Sequence, residues 1–485
     1  MSLFTPVRRW QPPFRPFKRQ RFFLRLLAGA ERIIKGPLFG CRMCGNCLLQ
    51  ETAFICPMEC PKGLRNGPCG GSTPEHCYVD KSRKCVWYLI YRRAARMGRD
   101  EKLMEVLPPL DWDKTGCETW ADVILQLRKT GTGNFARGML SRNPEIRHET
   151  WESVFRPVRQ PDWWNGDSVY HSPDYDQPAS SLEKKLREGE FVFTTEVLPP
   201  LHSDITRLKK NIEAVKPYVT AINFTDNSSA IPRMSGQSCC KVAAEMGADP
   251  VLQLTARDNN RYSLQAKALG ANGEGIRNIL CITGDSPVTG SKPTGSLEMF
   301  DLDAVQMLWI LRRLRDEGKY LDGRELKFRP SYFLGAAASP LASKPEFQAA
   351  REHKKVNAGA QFLQTNLIFD IGQLEEWLEH LYKRNITDKV YIIVGIAPLK
   401  SLRMAHHFNN EVPGVAVPGH IIKRIENAGD RAEEEGFQIA LELTEKISKM
   451  KYVNGIHLTT MGCESTVERI VRDSGIKANV EKYRL

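Results

Sequence analysis

The sequence predicts an α/β fold: a (β/α)8 barrel of the TIM type, preceded by a small Cys-rich metal-binding domain. Three observations carry this. From about residue 181, short β-branched runs alternate with amphipathic helical runs, eight times over. Eight of the thirteen cysteines crowd between Cys41 and Cys85. Between these two textures, residues 151–180 turn polar, aromatic and Pro-rich, a composition suited to a surface crossover.

The expected strands are 191–198, 219–225, 250–257, 278–283, 327–336, 360–368, 390–396 and 453–461. The clearest helices are 301–318, 344–359, 371–384 and 430–450. In 301–318 and 430–450, apolar residues recur at i, i+3 and i+4. An open doubly wound sheet is the competing arrangement. No G-x-G-x-x-G follows the first strand, which counts against a dinucleotide-binding sheet. The expected organisation is a basic segment over 1–40, a Cys-rich domain over 41–150, a linker over 151–180 and the barrel over 181–485.

Of the net charge of +12, residues 1–35 alone supply +8, from nine Lys/Arg against Glu31. The remainder is close to neutral, so a nucleic-acid surface is not expected. No run of 18 apolar residues occurs, so no transmembrane segment is expected either. Residues 21–35 fit a basic amphipathic helix. It suits a membrane surface, an acidic partner or organelle targeting, or simply a helix laid on the Cys-rich module with its charges in water.

The cluster opens with CRMCGNC, a C-x2-C-x2-C run, and two later cysteines precede proline, Cys56-Pro57 and Cys60-Pro61. Such a triplet wraps one face of a cubane, and ferredoxin-type runs end in Cys-Pro. Cys41, Cys44, Cys47, Cys56, Cys60, Cys69, Cys77 and Cys85 therefore suit two [4Fe–4S] clusters, four thiolates each. They equally suit two four-thiolate zinc sites. A disulfide scaffold is the third reading, with no secretory signal to support it. The Gly- and Pro-rich stretch 61–76 suits a backbone laid close against an inorganic core. The other five cysteines read as small buried hydrophobes.

Chemistry in a barrel sits where strands end. The first strand ends in Thr195-Glu196-Val197-Leu198-Pro199-Pro200, the second in Thr225-Asp226-Asn227, the third in Thr255-Ala256-Arg257-Asp258 and the fourth in Thr283-Gly284-Asp285. The fifth runs into Ala336-Ala337-Ala338, the sixth carries Gln364-Thr365-Asn366 and the seventh ends in Gly395-Ile396-Ala397-Pro398. Hydrogen-bonding side chains thus converge on one face from five strands.

This constellation resembles methylenetetrahydrofolate reductase over essentially all of 181–485. The resemblance rests on Glu-x-x-Pro-Pro, Thr-Gly-Asp, AGAQFLQTNLIFD at 358–370, GIAPLKS at 395–401 and GVAVPGHIIKRIENAGD at 414–430, in that order and at barrel spacing. The Cys-rich module resembles the accessory polypeptide, or fused domain, found with this reductase in acetogens and related bacteria. There it is associated with iron–sulfur electron delivery and has also been called zinc-binding.

The resemblance implies a flavin, FAD with FMN as alternative, and reduction of 5,10-methylenetetrahydrofolate to 5-methyltetrahydrofolate. That reaction needs a hydride donor, an acid that opens the five-membered ring by protonating a folate nitrogen, and a polar group that reads the pterin edge. Glu196 matches the family's acid and Asp285 its aspartate near flavin and pterin. Asn366 stands where glutamine is common on a folate hydrogen bond, one methylene shorter. Thr225, Thr255, Thr283, Gly284, Ala337 and Lys355 fall at flavin-lining positions, Lys355 as a point charge for phosphate. Arg257 and Asp258 are also expected to bind the flavin, and Arg261 to face it; for Asp258 and Arg261 surface salt bridging is the equal reading. Gln253 replaces a histidine that many relatives carry. Electrons arrive through iron–sulfur clusters from a ferredoxin-like or multi-subunit redox partner. The alternatives are NAD(P)H beside a zinc-stabilised scaffold, or a non-catalytic flavin- or pterin-binding subunit. A cytoplasmic, reducing setting and an oligomer are expected.

Overall fold

The structure, a computed structural model, describes residues 22–476 apart from 161–162, 165–166, 168, 288–299, 342–343, 413 and 461. The chain parts into two compact units, Met1–Glu59 with Leu110–Asn165 and Cys60–Pro109 with Gly166–Leu485. The cut falls inside the cysteine cluster. Cys41, Cys44, Cys47 and Cys56 belong to the first unit, and Cys60, Cys69, Cys77 and Cys85 to the second. The expected single Cys-rich domain over 41–150 is therefore not how the compact units divide.

In the first unit a helix spans Phe22–Phe39, so the expected basic helix forms within the described residues; residues 1–21 of the basic segment lie outside them. It does not simply keep its charges in water. Buried Glu31 accepts hydrogen bonds from Thr119 N (2.7 Å) and Thr119 Oγ1 (2.6 Å), and Lys35 Nζ lies 3.8 Å from Cys47 Sγ. Of its large hydrophobic residues, Leu26, Ile33, Ile34 and Leu38 are exposed. Cys44, Leu49, Cys56, Met58 and Leu110 form a small core. Part of the expected linker is helical. Asn143 caps Pro144–Arg159, with Pro144 in the first turn, where its missing N–H costs nothing.

In the second unit eight parallel strands close a barrel in sequence order. They are β1 (Val192–Glu196), β2 (Ala221–Phe224), β3 (Pro250–Thr255), β4 (Asn278–Ile282), β5 (Phe333–Ala338), β6 (Phe362–Leu367), β7 (Tyr391–Ile396) and β8 (Gly455–Leu458). β8 pairs with β1, Val192 opposite Gly455. Strands buried on both faces read as nearly continuous apolar runs, which is why their positions are visible in the sequence.

The interior is layered. At the base, Val192, Ala221, Val251, Leu280, Phe333, Phe362 and Ile393 pack with Leu182 and Leu186. These leucines come from the helix Ser181–Arg187, which closes the N-terminal end. Each fully buried leucine stabilises by roughly 1.5–3 kcal/mol. One step up, the layer is polar. Thr194 Oγ1 pairs with His457 Nδ1 at 2.9 Å, and Asn223 Nδ2 donates to Gln364 Oε1 at 2.8 Å. Burial holds His457 down near 3, so its ring is neutral at physiological pH. With the base sealed by hydrocarbon, access is left to the C-terminal ends of the strands.

Candidate active site

A cleft of about 610 Å³ opens at the strand C-termini of the second unit. That volume falls within the range of small-molecule sites. Its wall includes Thr283, Gly284, Asp285, Ala337, Lys355 and Asn366, six of the residues singled out from the sequence. Glu196, Thr225, Thr255, Arg257 and Asp258 are not on this wall, although each stands at a neighbouring strand end.

Thr283-Gly284-Asp285 leaves β4 through Gly284, whose φ is +84°. A Cβ there would approach the Cβ atoms of Thr255 and Arg257 at 3.2 Å, so the turn needs glycine. Arg257 braces three strand ends at once. It pairs with Asp258 (2.6 Å), donates to the carbonyls of Asn227 (2.8 Å) and Asp226 (3.2 Å), and reaches Asp285 O at 3.4 Å. Thr255 Oγ1 donates to Asp258 at 2.9 Å. In the loop after β2, Asn227, Ser229 and Ala230 all adopt positive φ, and Ser229 reaches the cleft. Such strain is tolerated where a loop must hold a particular shape at a binding rim.

Glu196 ends β1, directly after Thr195 in the closed wall. Burial alone, with no charged neighbour to oppose it, pushes its carboxyl up to about 7. A carboxyl so placed is a proton donor at neutral pH. Asn366 sits where the β6–β7 register shifts, between Gln364 and Leu367. Its Nδ2 donates to Gly414 O at 2.6 Å, while its Oδ1 is buried without a partner. Thr225 Oγ1 is likewise buried and unpartnered. Buried polar atoms rarely go without a partner, so each of these two calls for an explanation.

Lys355 lines the cleft, but its ammonium is held by Glu352 at 2.9 Å and by Ala337 O. Burial lowers it to about 8. It is therefore not the solvated helix lysine that its neighbour Lys354 might suggest, and Lys354 is itself buried. Arg261 pairs with Asp301 at 3.2 Å. Gln253 is buried inside β3.

Sequence reasoning missed the contribution of residues 60–85. Lys62 Nζ donates to Gly284 O at 2.8 Å and lies over the rings of Tyr78 (5.0 Å) and Phe300 (5.5 Å). Tyr78 Oη donates to Asp285 Oδ1 at 3.3 Å. A Cβ on Gly70 would meet Ser339 Oγ at 2.5 Å. The Gly-rich stretch thus serves, at least here, a close approach to the barrel mouth. Its abundance of glycine was the available signal.

All thirteen cysteines are free. Among the described residues, no group of three or more Cys, His, Asp or Glu side chains stands in metal-ligating geometry. Yet Cys60, Cys69, Cys77 and Cys85 all line one small cavity, and Cys69, Lys62 and Pro68 line the barrel cleft as well. Burial pushes the Cys85 thiol up to about 12 and Cys60 higher still, each also raised by Cys69 and Cys77. In the first unit, burial and the neighbouring Cys44 and Cys41 raise Cys47, to about 11, and Cys56 above it. Of the remaining five, Cys239, Cys240 and Cys281 are buried as expected, while Cys117 and Cys463 are partly exposed.

A sealed barrel base, a polar cleft at the strand ends and an acid poised near neutrality define a (β/α)8 barrel of the enzyme type. The chain belongs to the methylenetetrahydrofolate reductase family, whose pattern matches residues 181–475. A second pattern, described as "Methylene-tetrahydrofolate reductase C terminal", matches residues 24–113, which here precede the barrel. The chain is 23% identical over 313 residues to a probable methylenetetrahydrofolate reductase (NADPH) of Caenorhabditis elegans, covering 61% of this chain and 44% of the relative. It is 24% identical to methylenetetrahydrofolate reductase 2 of Schizosaccharomyces pombe, covering 61% of this chain and 47% of the relative. It thus spans about half the length of these two. With the 5,10-methylenetetrahydrofolate reductase of Escherichia coli it shares 24% identity, covering 64% of this chain and 99% of that one. A solved Clostridium thermocellum protein, described as binding two copies of 5-methyl-5,6,7,8-tetrahydrofolic acid, overlays 61% of this chain and 98% of its own, with 14% identity and a TM-score of 0.42.

Proposed function

We propose that the chain reduces 5,10-methylenetetrahydrofolate to 5-methyltetrahydrofolate with a flavin held in the barrel cleft. The observation that carries this reading is Glu196. It is a carboxyl raised to about 7 by burial, at the strand end where the family places its acid. The cleft fits a tricyclic ring in volume, and Asn366 on its wall carries a buried, unpartnered Oδ1. FAD is the expected flavin, with FMN the alternative.

A bound flavin supplies the hydride; the protein supplies everything around it. Glu196, about half of it protonated at neutral pH, gives its proton to a folate nitrogen as the five-membered ring opens. The exocyclic carbon becomes an iminium, and the hydride completes the methyl group. Asp285 accepts a hydrogen bond from the pterin amine, and Asn366 Oδ1 accepts a second.

The thiolates suit electron supply. Cys60, Cys69, Cys77 and Cys85 line one small cavity, and would supply four thiolates to a metal group there; Cys69 is common to its wall and that of the cleft. A metal group held there and a flavin in the cleft would share a wall, as short-range electron transfer requires. Cys41, Cys44, Cys47 and Cys56 form the second set. Two [4Fe–4S] clusters fit this donor chemistry, as does the resemblance to the acetogen accessory module. The electron source is then a low-potential ferredoxin-like or multi-subunit partner. Four thiolates suit zinc equally, and zinc would leave NAD(P)H as the donor.

Metal, sulfide and flavin analysis of protein prepared without air decides between them. Iron with acid-labile sulfide, and broad visible absorbance beyond the flavin bands, supports the relay. Zinc with a flavin-only spectrum supports the scaffold. Protein that takes up flavin but forms no methyl-folate with any donor would overturn the catalytic reading.

A further inference from the structure

We propose that Tyr78, braced by Lys62, is a positioning residue for Asp285, so that the Cys-rich segment completes the barrel's substrate site. The inference rests on the reading of the cleft as a folate site.

Asp285 leaves β4 on a glycine turn that has no side chain to stiffen it. Among the described residues, two contacts hold it. Arg257 Nη1 donates to its carbonyl at 3.4 Å, which holds the backbone. Tyr78 Oη donates to Oδ1 at 3.3 Å, which sets the rotation of the carboxylate. With Oδ1 engaged, Oδ2 is the oxygen turned over to a ligand amine. Lys62 secures the arrangement from the same segment. Its ammonium bonds Gly284 O at 2.8 Å, one residue before Asp285, and lies 5.0 Å from the centre of the Tyr78 ring. Lys62 and Tyr78 both line the cleft, as do Gly284 and Asp285. A hydrogen bond to a carboxylate is the stronger kind, so loss of one hydroxyl should be measurable.

The test uses the full-length protein loaded with flavin. Dissociation constants for 5-methyltetrahydrofolate are measured for the parent, Tyr78→Phe, Asp285→Asn and the double variant. Tyr78→Phe keeps the ring and its cation contact and removes only the hydroxyl. Binding should weaken about tenfold, with flavin content and melting temperature unchanged. Steady-state KM should rise by a similar factor while kcat moves little. The double variant should bind no worse than Asp285→Asn alone, because the two groups act as one. The proposal is overturned if Tyr78→Phe binds like the parent while Asp285→Asn does not, or if the two losses multiply. If the parent itself does not bind the folate, the reading of the cleft fails and the proposal falls with it.

Discussion

Lys355 Nζ lies 2.9 Å from Glu352 Oε2, and Arg351 Nη2 holds the same carboxylate at 3.0 Å from its other oxygen. The lysine lines the cleft, yet its charge is already engaged inside the barrel wall. Removing one partner of a buried pair exposes the cost of burying the other, although here Arg351 still compensates Glu352. Lys355→Met is therefore expected to destabilise the protein by about 2 kcal/mol, read as a melting temperature lowered by a few degrees. A flavin affinity lowered more than tenfold at unchanged melting temperature would assign the charge to a flavin phosphate instead.

Glu196 carries a pH signature. Its carboxyl ionises near 7 in the folded protein and near 4.5 when unfolded. Between those values the native state holds a proton that the unfolded chain has lost, so this residue lowers stability as pH rises through the window. Glu196→Gln removes the effect. The variant should match the parent below about pH 4.5 and exceed it above pH 7, by at most about 3 kcal/mol. Denaturant titrations across that range measure it. Methyl-folate formation should fall at least about a hundredfold. Unchanged turnover would remove Glu196 from the mechanism.

Asn366 lines the cleft, with its Oδ1 buried and unpartnered while its amide nitrogen ties down Gly414 O. Asn366→Ala should raise the folate KM about tenfold and leave kcat less affected. Asn366→Gln, which keeps the amide on a longer side chain, should lose less than Asn366→Ala. If alanine were the better tolerated, the side chain would not contact the pterin.

The two thiolate sets should behave independently because they belong to different compact units. Cys44→Ser and Cys69→Ser should each release about half of the bound metal. Only Cys69→Ser, on the wall of the cleft, should also perturb the flavin absorbance. Equal flavin perturbation by both, or loss of all metal from either, would point to a single shared site.

Much of the barrel was legible because parallel strands covered by helices leave β-branched runs that alternate with a helical period. Seven strands begin within two residues of expectation. β5 does not. It starts at Phe333 rather than residue 327, since the stretch before it holds Pro330, which cannot donate to a ladder. The strand-end residues were legible for the same reason as the strands. Lys62 and Tyr78 were not, because nothing local announces that a loop 200 residues upstream will meet Gly284 and Asp285. The division of the cysteines was also hidden. Only three residues separate Cys56 from Cys60, and spacing alone does not show that the chain changes units between them. The helix Pro144–Arg159 was obscured by the aromatic and proline residues of its second half.

The proposed reaction is hydride transfer in this barrel to a folate one-carbon unit. A single-turnover measurement tests it most directly. Full-length protein, prepared without air and with its flavin chemically reduced, is mixed with 5,10-methylenetetrahydrofolate. The oxidised flavin spectrum should return, with about one 5-methyltetrahydrofolate formed per flavin. A flavin that stays reduced while the folate is bound, with no methyl-folate formed, would contradict it.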